Sequence, residues 1–374
     1  MKLVWATVTE ISHSQDIAEH SLPKVYECSC LLDDSTTGTA VVYRDLVGTV
    51  EQGDRVLLNT TAVELSLGTG GKHFVVARIA AGEEPAGVAF DDPSEQGGHI
   101  MKLRYTPLQR DVLSVESQES PWHRTMERVT DLDHIPVVCC GLHSQVPLVA
   151  AAIKARAPHL RVGYVMTDEA ALSLDFSQVV AQCKEKGLID VTVATGQAFG
   201  GDYEAINLHS GMLAACHVGG CDVLIVAIGP GVAGTGTPFG HGGIAQGEAI
   251  NAVGVLQGLP IACLRVSFAD ERERHRVISH HSIAALETIA LTKALIALPY
   301  LEDAEQRAQL DAKLESLENR CGHEAVQLEE CVYDEAALKG IKVTTMRRGY
   351  DQDPAFFEAA FAAGALAASI ASEM

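Results

Sequence analysis

The densest chemical signal in this 374-residue chain is the run Gly229–Glu248, GPGVAGTGTPFGHGGIAQGE. Eight glycines fall between Gly229 and Gly247. Each costs backbone entropy on folding, so such density asks for positive φ angles or for close approach of backbone to a ligand. An unbroken apolar run, Val223–Ile228, precedes the glycines and reads as a buried strand, and a helical pattern over Ala249–Leu256 follows them. A strand, a glycine loop and a helix N-terminus together aim N–H groups at an anion. The candidate contacts in this loop are Gly229, Gly231, Gly234 and Gly236, with the hydroxyls of Thr235 and Thr237.

Ligands of an open α/β sheet sit beyond the carboxyl ends of its strands, so the other strand tails matter as well. The first tail brings His143 and Ser144, the second Asp168, and the third Gly200, Gly201 and Asp202. The fifth brings Asp270, Arg272, Arg274 and His275. Guanidinium forks suit phosphate or carboxylate, although Asp270, Glu271 and Glu273 are available to neutralise them. Asp168, Asp202 and His241 are the first candidates for acid–base work. Asp202 also reads as the N-cap of a helix that opens at Tyr203.

Several chemistries are excluded or weakened. Gly229-Pro230-Gly231-Val232-Ala233-Gly234 matches G-x-G-x-x-G, but a dinucleotide fingerprint opens the first βα unit, and this unit is the fourth. No G-x-x-x-x-G-K-[ST] string exists, which argues against a P-loop NTPase. His143, His209, His241, His275, His280 and His281 invite a metal reading. They lack H-x-x-x-H spacing, however, and the adjacent His280 and His281 are expected to point to different faces, so no metal ligand is assigned. The sequence identifies no cofactor. A net charge of −21 argues against nucleic acid or an anionic membrane as partner.

The ten cysteines, with no secretion signal, read as reduced thiols of a cytoplasmic protein. Cys28 and Cys30 share a strand face without metal-knuckle spacing. No apolar run approaches a membrane span, and the Ala-rich 355–371 stretch reads as a packed helix that favours a homodimer.

Three parts must position these residues. Residues 1–105 carry short β-rich runs (Lys2–Ile11, Val25–Leu32, Thr39–Tyr43, Arg55–Asn59, His73–Ile79) that suggest a small barrel. An acidic Gly/Pro-rich stretch from Gly82 to Gly98 reads as a linker or exposed loop, and residues 106–135 form a connecting segment. From 136 to 374 apolar runs alternate with helix-length segments. The strands are Val137–Cys140, Arg161–Met166, Asp190–Thr195, Asp222–Ile228 and Pro260–Val266; a helix is expected over Tyr203–Val218. A long helix over Ile283–Ala297, a charged helix over Ala304–Asn319 and strands near Val326–Val332 and Lys342–Thr345 follow. The expected fold class is α/β: a parallel, doubly wound, Rossmann-like sheet preceded by a small β-barrel-like domain.

Several strings resemble the bacterial family catalogued as domain of unknown function 3866. They include Asp54–Val63, His99–Pro107, Phe199–Ala205, Gly229–Thr237 and Ser279–Ser282, with Arg348-Gly349-Tyr350 and Asp353-Pro354 near the end. The resemblance spans nearly the whole chain and supports the fold; it implies no reaction. Arg347 stands where the family pattern suggests glycine, so a positive φ there implies strain. The residues themselves suggest a small-molecule enzyme with an anionic, phosphorylated or nucleotide-like ligand. The alternatives are a ligand-sensing or scaffold protein and a metal-dependent hydrolase.

Overall fold

The computed structural model describes residues 1–12, 25–43, 47–66, 71–79, 81, 98–169, 171–328 and 331–374. Of the acidic stretch read as a linker, Gly82–Gly98, residues 82–97 lie outside them. Two compact units divide the chain, Met1–Ser120 and Pro121–Met374.

The first unit is a closed barrel of β1 (Leu3–Ile11), β2 (Val25–Leu32), β3 (Thr37–Tyr43), β4 (Arg55–Asn59) and β5 (Lys72–Ile79), in the order β1-β2-β3-β5-β4. Closure leaves no open edge in this sheet. Alternate side chains such as Ala6, Val8, Cys28, Cys30, Ala40 and Val42 turn inward, and their small size suits a narrow interior. The helical turn α1 (Thr61–Glu64) and the pair β6 (Ile100–Lys102) and β7 (Arg110–Val112) complete the unit.

The second unit opens with the short α2 (His123–Met126) and is built on eight parallel strands. They are β8 (Pro136–Cys140), β9 (Val162–Met166), β10 (Val191–Thr195), β11 (Tyr203–Ala205), β12 (Val223–Ala227), β13 (Leu259–Cys263), β16 (Leu295–Leu298) and β17 (Glu324–Gln327). Their order is β11-β10-β9-β12-β8-β13-β16-β17. The chain runs from β8 out to β11, returns to β12, and then crosses to the other edge. Residues of β8, β9, β10 and β12 are buried throughout, as continuous apolar runs in a parallel sheet demand.

Helices α3 (Val146–Arg156), α4 (Gln178–Glu185), α5 (Leu208–Leu213), α6 (Ile244–Val255), α7 (His280–Ala284), α8 (Ala304–Glu315) and α9 (Pro354–Ala371) accompany the sheet. A shared core joins α3 and α9 to Val138, Cys140, Ile225, Ala227, Ile261 and Cys263. At Gly364 of α9 a Cβ would lie 2.3 Å from the Val149 carbonyl oxygen of α3, so glycine sets this close crossing. Helix α9 has the length and apolarity of a membrane span, contrary to expectation, but 78% of that window is buried within the protein.

Three local expectations fail. Tyr203–Ala205 is an edge strand, and the helix begins later, with Asn207 rather than Asp202 as its N-cap. The long helix over 283–297 is instead α7, a π-helical turn at Ala285–Ile289, and then β16. Residues 342–345 add no strand; only Thr345 makes an isolated bridge, to Arg348. That bridge closes a two-residue turn with Met346 at φ 48° and Arg347 at φ 67°, so the strain anticipated at Arg347 is present.

Candidate functional site

The basic residues after β13 sit on a small hairpin. β14 (Val266–Ser267) and β15 (Val277–Ile278) pair antiparallel, and the turn between them carries residues 268–276. Arg265, just before β14, is buried. Its N–H donates to Ser282 Oγ at 3.1 Å, and its carbonyl accepts from Ser279 N–H at 2.9 Å. Val277 takes φ 61°, a conformation hostile to a β-branched residue. Strain of this kind persists only where surrounding contacts over-determine it.

Asp270 organises the guanidiniums. Arg272 grips it through Nε–Oδ1 at 2.9 Å and Nη2–Oδ2 at 2.8 Å. Arg348 Nη2 reaches the same Oδ2 at 3.3 Å, and its Nε donates to Asp353 at 3.0 Å. Arg265 Nη2 stands 3.6 Å from Asp270. Ser267 Oγ accepts from Asp270 N–H at 3.0 Å and donates to Asp353 at 2.8 Å. The Arg272 guanidinium holds the Asp270 carboxyl well below the usual carboxylate range. Burial, reinforced by nearby Arg272, lowers Arg265 to about 10. Arg274 has no acidic partner among the described residues. Three arginines thus meet two aspartates, and the unpaired Arg274 brings the excess to two positive charges (4 − 2) on a chain of net charge −21.

Histidines adjoin this network. Ser279 caps α7 and stands 2.7 Å from His275 Nδ1. The rings of His241 and His281 stack at 4.0 Å and 8°. The His280 ring lies 5.1 Å from that of His241 and 4.5 Å from that of His281. Gly243 permits this packing, since a Cβ there would fall 2.7 Å from His281 Cβ and 3.0 Å from His241 Nδ1. His241 Nε2 lies 3.0 Å from the Pro238 carbonyl oxygen. A carbonyl only accepts, so Nε2 carries the proton and Nδ1 keeps its lone pair. Burial lowers all four imidazole pKa values. His281, also beside His241 and Arg265, falls to about 2, and His275, beside Arg265 and Arg272, to about 3. The rings are therefore neutral at neutral pH.

Two cavities open here. One, of about 140 Å³, is walled by Gly234, Gly236, the three arginines 265, 272 and 274, and histidines 275, 280 and 281. The other, of about 440 Å³, lies between Leu142–Ser144, Gly229–Val232 and Lys342–Met346. Val232 and Met346 line both, so the strained turn at Met346 sits where they join.

The residues read from the sequence divide between these walls and elsewhere. Arg272, Arg274, His275, Gly234 and Gly236 line the smaller cavity; His143, Ser144, Gly229 and Gly231 line the larger. His143 Nε2 is 2.7 Å from Ser177 Oγ, and its Nδ1 faces the Ile228 carbonyl at 3.3 Å. Thr235 and Thr237 bond to each other at 2.9 Å and to the backbone of Gly240, closing the glycine loop on itself. Asp270 serves the arginines, and His241 backs His281. Asp168 packs over Gly196, where a Cβ would come within 2.1 Å of its Oδ2. Gly201 packs on β10, and Gly200 donates to Glu204 Oε1 at 2.6 Å.

Asp202 accepts from Thr192 N–H at 2.8 Å and Oγ1 at 2.9 Å and pairs with Lys184. Thr192 is near the amino end of β10, so Asp202 lies away from the carboxyl edge. Burial pushes its carboxyl up, but Lys184 and Thr192 outweigh this, and the net shift is downward.

Sequence reasoning left out Arg265, His280, His281 and Met346 as site residues. The signal for the histidines was Ser279, whose capping places both in the first turn of α7, where their rings lie 4.5 Å apart.

Among curated proteins and among solved structures nothing matches the chain. A family model, described as protein of unknown function (DUF3866), matches residues 39–364, and the chain belongs to that family.

Proposed function

We propose that the second unit is a small-molecule enzyme whose ligand carries an anionic group. The anion, phosphate or carboxylate, sits against Arg265, Arg272 and Arg274 in the smaller cavity, and the body of the ligand occupies the larger one. The uncompensated positive charge of the arginine cluster carries this reading, because guanidinium forks in a partly buried site favour such anions. The apolar residues around the adjoining cavity, Leu142, Pro147, Val179 and Val343, suit a less polar ligand body. For turnover, His241 stands behind His281, which lines the smaller cavity, and its unprotonated Nδ1 can act as a base only while no metal ion occupies it.

Thermal denaturation with inorganic phosphate, sugar phosphates, nucleotides and carboxylates tests the reading. A ligand at about 100 times its Kd is expected to add ~2.7 kcal/mol to stability. Arg274→Ala removes a charge-assisted contact worth about 1.5–3 kcal/mol, so affinity should fall roughly 10- to 150-fold. The anion reading is refuted if no compound raises the melting temperature. Incubation with the best ligand then separates an enzyme from a sensor: an unchanged ligand after prolonged contact refutes turnover.

A further inference from the structure

We infer that His241, His280 and His281 form a binding site for a zinc-class transition-metal ion, open to the arginine-lined cavity. One ligand-type nitrogen from each ring lies within 4.8 Å of the others, close enough for one ion to join them. His241 Nδ1, His280 Nε2 and His281 Nδ1 are buried and have no hydrogen-bond partner. Buried polar atoms are ordinarily paired, and three unpaired nitrogens on three clustered rings call for a shared partner. The Pro238 carbonyl fixes the His241 tautomer from behind, the outer-shell arrangement that metal-ligating histidines use. Three imidazoles with no thiolate among them suit zinc, cobalt or nickel rather than magnesium or calcium.

Two features shape how such an ion binds. The stacked His241 and His281 rings cannot both aim in-plane lone pairs at one ion, so one must turn about its Cβ–Cγ bond. The cluster contains no carboxylate, and Arg265, Arg272 and Arg274 repel a cation. An anion in the smaller cavity removes that repulsion and supplies a fourth ligand. Metal and anion therefore bind synergistically. This last step rests on the anion reading above, whereas the three-histidine site does not.

The test uses untagged full-length protein, stripped with a chelator and titrated with Zn²⁺ by calorimetry and with Co²⁺ by visible absorption. The site predicts one equivalent of either ion and cobalt ligand-field bands that shift on adding inorganic phosphate. His281→Ala should weaken binding at least ~100-fold, the upper range seen when even an outer-shell partner is lost. His280→Gln, at a less buried position, serves as a second variant should His281→Ala not fold. Substoichiometric uptake by the wild-type chain, or unchanged affinity in a folded variant, overturns the site. Metal binding indifferent to phosphate overturns the synergy. Anion-induced thermal stabilisation of the chelator-treated protein is scored separately. The anion reading thus survives a failure of the metal site, and the metal site survives a failure of the anion reading.

Discussion

Asp270 shows how one carboxylate can organise a positively charged pocket without touching what the pocket holds. It is 3% exposed, and three guanidiniums converge on it. Asp270→Asn should leave Arg265 and Arg272 without their counter-charge. Removing one partner of a buried pair typically costs about 3–5 kcal/mol. The pH dependence has a definite sign. The folded pKa lies below the unfolded value of about 3.9, so the stabilisation is complete above that value and fades as pH falls through the folded one. The stability gap between wild type and Asp270→Asn, measured by urea unfolding, should be flat near neutrality and shrink below about pH 4. A gap that widens with acid would contradict the pairing. At this scale the sequence was only partly legible. The Arg272–Arg276 cluster and its neutralisation by Asp270 could both be read from adjacency. The contribution of Arg348, 78 residues from Asp270, could not, because only the fold brings it there.

At the scale of elements, glycine has two separate uses. In the loop after β12, Gly231 and Gly236 take φ of 97° and 78°, where side chains are strained. In the helices the reason is space. Gly→Ala in an exposed helix interior ordinarily stabilises by up to about 1 kcal/mol. At Gly364 the sign should reverse, because the new methyl meets a backbone carbonyl in α3. Overpacking of this kind costs about 1–3 kcal/mol. Thermal unfolding of Gly364→Ala checks it, and a rise in melting temperature would mean that α3 and α9 are not so closely apposed. Strands β8, β9, β10, β12 and β13 were legible because both faces are buried and their apolar runs are nearly unbroken. Tyr203–Ala205 was misread because three residues at an edge carry too little pattern to outweigh the helical spacing beyond them. The helix expected over 283–297 failed because apolar residues recur at close spacing from α7 through the π-helical turn into β16, which hides the change of period.

On the scale of the whole molecule, a barrel precedes an eight-stranded parallel sheet, and the family match from residue 39 to 364 spans parts of both. The change of pattern near residue 136 made this order readable. Local sequence conceals how the carboxyl edge is furnished. Loops from β8 and β12, the hairpin after β13, α7 and the turn before α9 all contribute walls. Their convergence depends on strand order, which no single segment encodes.

Burial of the thiols has a practical consequence. Nine of the ten cysteines are buried, and only Cys321 is partly accessible. Burial pushes Cys139 above its ordinary value and raises Cys183, Cys216 and Cys221 to about 12, so none of these four is a reactive thiolate at neutral pH. An alkylating reagent should therefore consume a single equivalent quickly and the rest only as the chain opens, giving a chemical clock for unfolding under native conditions. Mass spectrometry of timed samples would read it, and rapid multiple labelling in buffer would show that the clock does not exist. The same shielding matters for metal titrations: while the clock stands at one, soft ions find almost no sulfur, and any stoichiometric uptake has to be sought among nitrogen and oxygen donors.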